Sequence, residues 1–125
     1  MMGFFSSLLE LLGRVLLGFL FIINGIEKIF NYNETIQYMS NYNVNEYLLI
    51  PAIIIEILFS ILIIIGYKTR ISAFILALFT IMLAIIFHSD FTNQMQTISF
   101  LKNLAISGGL FLLVTKESGR FSLDK

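Results

Sequence analysis

Residues 51–66 read PAIIIEILFSILIIIG, a run apolar enough to lie in lipid, with one acid, Glu56, near its middle. A charge at bilayer depth costs on the order of 2.5–3.5 kcal/mol on insertion scales. An acid kept there faces a protein interior, finds a partner, and is a functional candidate by default. Three further apolar runs flank this one. With it they form segments at residues 8–30, 48–67, 71–88 and 98–115, each close to the roughly 20 residues that a helix needs to cross the hydrocarbon core. The chain is therefore expected to be an all-α, integral-membrane four-helix bundle, with residues 1–125 as a single four-span unit.

Composition supports the same class. Hydrophobic residues make up 58% of the 125-residue chain and charged residues 13%, against soluble averages of roughly 45–50% and 25%. Net charge is zero, so there is no broad electrostatic footprint for nucleic acid. The chain has no Cys and one His, which leaves no thiolate-held cluster, disulfide, bis-His haem or His-built metal site to expect. No Lys or Arg precedes Leu8 and no small-residue cleavage pattern follows the first run. That run is expected to stay as a helix rather than to be removed as a signal.

Loop charges give an orientation. Lys68 and Arg70 lie in the second connection, and Lys116, Arg120 and Lys125 follow the last span, whereas residues 31–47 and 89–97 contain no Lys or Arg. By the positive-inside rule both termini and the second connection are expected in the cytoplasm, as an even number of spans requires. The Asn- and Tyr-rich segment 31–47 suits an interfacial cap, since Tyr settles at headgroup level.

Helices in lipid associate through small residues and polar contacts. At helical spacing, the expected inward stripes are Arg14, Gly18, Phe21, Gly25 and Lys28; then Ala52, Glu56, Ser60, Ile63 and Tyr67. The third span offers Ala73, Ala77, Thr80, Ala84 and His88, and the fourth Lys102, Ala105, Gly109, Leu112 and Lys116. With a rise of about 1.5 Å per residue, Glu56 lies about 12 Å below the outer end of its span and Lys102 about 6 Å below that of its own. Arg14 lies about 9 Å above the inner boundary. The expected cationic partners of Glu56 are thus Lys102 from above or Arg14 from below. Asn24, Glu27 and Asn103 reach outer-half depths and His88 the outer rim, which points to a pocket opening outward.

These residues also carry a family pattern. Gly13-Arg14 followed by Asn24-Gly25-Ile26-Glu27-Lys28, the Pro51, Glu56, Gly66 and Arg70 hairpin, and Phe100-x-Lys102-Asn103 leading to Gly108-Gly109 resemble the DoxX family in order and spacing. Asn24 stands where that family often has His. The resemblance implies a small four-helix inner-membrane protein of bacteria or archaea linked to quinone-coupled redox processes. Some relatives are subunits of a thiosulfate:quinone oxidoreductase and others join oxidative-stress complexes.

Each candidate has a functional and a structural reading. Glu56 handles protons or binds a ligand, or it is one half of an ion pair that holds the bundle. Lys102 and Asn103 are ligand donors or interhelical glue. Arg14 contacts ligand, or it snorkels and pairs with Glu10. Asn24, Glu27 and His88 complete the ligand-binding set, with His88 equally at home as a solvated helix end. The leading expectation is a membrane subunit that binds a quinone or lipid-like ligand. Glu56 would handle protons, and electrons would come from a redox partner protein. A small-solute transporter or ion channel working as a homo-oligomer is a second class, and a structural scaffold for a partner complex is a third. Membrane lipid, a redox partner and further copies of the chain are the expected partners.

Overall fold

The computed structural model describes residues 3–115 and 119–124. Among them every regular element is helical: α1 (Phe4–Phe30), α2 (Tyr32–Ser40), α3 (Leu49–Ile65), α4 (Thr69–Phe87) and α5 (Gln94–Thr115), with one 3₁₀ turn, Glu46–Leu48, leading into α3. Helices α1, α4, α5 and α3 with its leading turn are each long and apolar enough to cross a membrane. In water the Ile-rich run of α3 would favour a strand. In lipid every backbone N–H and C=O must find its partner within the chain, and the helix satisfies them locally. α1 and α5 each begin four residues before the apolar runs at 8–30 and 98–115. The expected charges Lys116 and Lys125 lie outside the described residues.

α3 packs along α1 and α4, and α4 packs along α5. Where α1 meets α3, a Cβ on Gly18 would lie 3.0 Å from the Ser60 carbonyl oxygen, and one on Gly25 would lie 2.6 Å from Ile57 Cγ1. Two glycines seven residues apart thus let the α1 and α3 backbones approach. Phe21 sits between them in a core shared with Ile63, Ala73, Leu76, Ala77 and Leu110.

The base of the bundle, formed by the start of α1 and the α3–α4 turn, is tied down by the segment 119–124. α3 ends at Gly66, whose φ of 75° permits the left-handed cap; Tyr67 N donates to Leu62 O at 2.9 Å and Gly66 N to Ile63 O at 3.2 Å, a Schellman closure. α4 has no cap of its own. Its first amides, Lys68 N and Thr69 N, donate instead to the Asp124 carboxylate at 2.7 and 2.9 Å, where the helix dipole favours an anion.

Arg14 locks this base. It is fully buried, and its Nε donates to Glu10 Oε2 at 2.7 Å. Its remaining nitrogens donate to the carbonyls of Ile63 (3.1 Å), Ile64 (2.8 Å) and Phe121 (2.7 Å). Glu10 in turn accepts from Gly119 N at 3.1 Å.

The inward stripe expected on α5 is a correction. Lys102, Ala105 and Leu112 are exposed and Gly109 is half-buried, whereas Ser107 and Leu110 are buried. Ser107 Oγ donates to Asn103 O at 2.9 Å and reaches Ala77 O at 3.4 Å. The helix turns its small hydroxyl residue to α4 and leaves its cation outside, because the close α4–α5 contact has no room for a lysine chain.

Two outcomes follow from this packing. Gly25→Leu should overpack the α1–α3 contact and cost about 1–3 kcal/mol, seen as a lower thermal midpoint in detergent, while Gly13→Ala, with nothing within 4 Å of its added carbon, should not lower it. Arg14→Met removes a charge on which a buried carboxylate and three carbonyls depend, and should cost about 3–5 kcal/mol; an unchanged midpoint would refute the locking role.

Candidate functional site

Above the core, α1, α3, α4 and α5 diverge around a cavity of about 510 Å³, within the usual range of roughly 300–1,000 Å³ for small-molecule sites. The turn after α1 brings α2 across its outer end. Met39 of α2 is buried, and Tyr38 stacks on Phe87 at 5.4 Å between ring centroids while Tyr42 meets the same ring edge-on at 5.1 Å. Gln96 Nε2 donates to Tyr42 Oη at 3.1 Å. These contacts join α2 to the outer ends of α4 and α5, so the segment 31–47 is a cap with a helix inside it. Burial and a hydrogen bond with Tyr42 push the Tyr38 hydroxyl up to about 12, which keeps it a neutral donor at the cavity's outer wall.

Glu56 is the polar centre of the cavity wall. It is 1% exposed. Its partner is Lys28, whose Nζ lies 2.7 Å from Oε1. This corrects the expectation of Lys102 or Arg14. Lys28 closes the same α1 stripe as Gly25, where an added Cβ would lie 3.7 Å from Glu56 Cβ. The long Lys28 side chain then covers the remaining depth, running inward from the helix end. Among the described residues Oε2 has no hydrogen-bond partner.

Asn24 of α1, Thr80 and His88 of α4 and Asn103 of α5 line the same cavity, with largely apolar side chains between them. The expected set therefore divides. Glu56, Asn24, Asn103 and His88 come together, and Lys28, Thr80 and Tyr38 join them. Lys102 and Glu27 are exposed on the outer surface, and Arg14 is spent on the base. In such a cavity the carboxylate can accept a proton, or a hydrogen bond from a ligand hydroxyl, while the Lys28 ammonium and the Asn24 and Asn103 carboxamides can donate to a ligand carbonyl. Lys28, expected on the inward stripe of α1 at its outer end, is the one residue of the pair left out of the expected ligand-binding set. Its signal was its position on the Gly18–Gly25 row.

The DoxX family model matches residues 9–89, which run from within α1 to just past the end of α4 and include Lys28 and Glu56. Over 115 residues the chain is 38% identical to "Inner membrane protein YqjF" of Escherichia coli (strain K12), covering 92% of this chain and 88% of that protein. It is 33% identical over 130 residues to "Inner membrane protein YphA" of the same organism, covering 98% and 93%. No solved structure matches. With four helices able to cross a membrane, the chain belongs to the DoxX family and is a multi-pass protein of the bacterial inner membrane.

Proposed function

We propose that this protein binds the head of a quinone, or of a closely related lipid-soluble carbonyl compound, in the cavity between α1, α3, α4 and α5, as the membrane subunit of a redox system. The observation that carries this reading is Glu56, buried in the cavity wall with one oxygen on Lys28 and the other unpartnered. A buried acceptor left unsatisfied costs about 1–3 kcal/mol, and more when charged. A bound hydroxyl would relieve that cost. The opposite redox form presents a carbonyl, for which Lys28, Asn24 and Asn103 are the donors. One site thereby serves both forms.

The cavity fits such a head in size, in its apolar walls and in its pairing of donors with an acceptor. When bound, a quinone supplies two-electron, two-proton chemistry. The chain's residues orient the ring and exclude water, and Glu56 takes up or releases a proton at its free oxygen. Electrons come from a partner protein. The loop charges support an orientation with the base in the cytoplasm and α2 on the periplasmic side, so the proton is exchanged with the outer half of the membrane.

The test is mass spectrometry of small molecules retained by the purified protein, with a redox difference spectrum of the same sample. Wild type should retain quinone in stoichiometric amount. Glu56→Gln keeps the shape, and Lys28, at 24% side-chain exposure, can turn its ammonium outward, so the thermal midpoint should fall far less than in Arg14→Met, while loss of a charged hydrogen bond should weaken retention about ten- to a hundredfold. Wild-type protein that is folded and carries only bulk phospholipid would rule the reading out, as would full occupancy in Glu56→Gln.

A further inference from the structure

The helices form a ring that is open on one side. α1–α3, α3–α4 and α4–α5 pack along their lengths, whereas α1 and α5 do not. They approach at the inner end, where a Cβ on Gly109 would lie 3.8 Å from a Leu17 methyl. Outward from that point, helical spacing continues the α1 row through Leu20 and Asn24 to Glu27, and the α5 row through Ile106 to Lys102. Leu20, Asn24, Asn103 and Ile106 all line the cavity, and no lengthwise α1–α5 packing closes it between the two rows. The cavity wall therefore continues to the outer surface of the bundle between α1 and α5. The opening is apolar at the level of Leu20 and Ile106 and carries the exposed charges Glu27 and Lys102 at its outer rim.

We propose that this opening is the seat of a long apolar chain, and that the ligand is a long-chain quinone rather than a small head group. This rests on the reading that the head lies at Glu56 and Lys28. Depth agrees with it. From the outer end of α1, Leu20 lies about 15 Å in and Lys28 about 3 Å in, so a head held by Lys28 directs its chain toward mid-membrane, where hydrocarbon receives it. The chain needs no new attraction there, because lipid is as apolar as leucine. What the opening supplies is room.

The experiment compares decylubiquinone with the chain-free 2,3-dimethoxy-5-methyl-1,4-benzoquinone on protein in phosphatidylcholine nanodiscs, each affinity expressed against the probe's concentration in the membrane. Wild type should bind both within a few-fold. Leu20→Trp should fill the opening and lower decylubiquinone binding relative to the chain-free probe by about tenfold or more, a steric loss of about 1.4 kcal/mol; Ile106→Trp tests the same wall from α5 should the first variant fold poorly. The wild-type comparison needs no variant: a protein that binds the chain-free probe and excludes decylubiquinone overturns the proposal. So does an equal effect of the tryptophans on both probes. Binding of neither probe to wild type would instead remove the head site itself.

Discussion

The approach of α1 to α3 at Gly18 and Gly25 is the constraint on which the rest of this bundle depends. A side chain at either position would collide with Ile64 or Ile57, so the two backbones take one register and keep it. That register places Arg14 under the last carbonyls of α3 at one end. At the other it places Lys28 beside Glu56. Without a hydrophobic drive between helices in lipid, such close contact and the polar pairs it creates are what hold α1 in place. Both charged centres are thus consequences of two missing side chains.

The two centres are nevertheless built differently. At the base, the Arg14 guanidinium is spent on a carboxylate and three carbonyls, and it also gathers the returning segment at Phe121. Nothing in that arrangement calls for a ligand. At the cavity, Glu56 has one cation, and its Oε2 has no hydrogen-bond partner among the described residues. Burying an ion pair gains little over good packing, so this pair adds register to the α1–α3 contact more than it adds stability, and it leaves an acceptor on the cavity wall.

Much of this was legible in the sequence, for reasons that can be named. The spans follow from the length and apolarity of four runs, and the α1 and α4 stripes and the Glu56, Ser60 and Ile63 part of the α3 stripe follow from small and polar residues at steps of three and four; Tyr67, expected on that stripe, lies past the Gly66 turn and is exposed. Arg14, Gly18, Phe21 and Gly25 are all buried, as are Ala73, Ala77, Thr80 and Ala84. The α5 stripe failed because it was chosen by its charges. Lys102 drew the reading to one face, while the contact with α4 selected the face of Ser107 and Leu110, where nothing is charged. The Lys28–Glu56 pair was hidden by arithmetic on backbone depth, which ignores the reach of a lysine side chain. Asp124 could not be found at all, because its task of capping α4 exists only once the chain has folded back.

The two halves of the bundle are tied by different kinds of contact. The base is cross-tied by Arg14, Glu10, Asp124 and the Schellman turn, and its bonds bridge residues far apart in sequence. The outer half is held by α2 through aromatic contacts to Phe87 and one side-chain bond from Gln96, and α1 there has no lengthwise contact with α5. Local opening draws on regions with few buried contacts and spares those with many. Asn24, Lys28, Glu56, Thr80 and Asn103, the polar residues of the cavity, all sit in the outer half, where α1 is held to α3 by the close approach at Gly25 and by the Lys28–Glu56 pair. The same close approach that seats Arg14 in a fully bonded base thus sets Lys28 and Glu56 against a cavity, so one helix register yields two charged centres with opposite degrees of satisfaction.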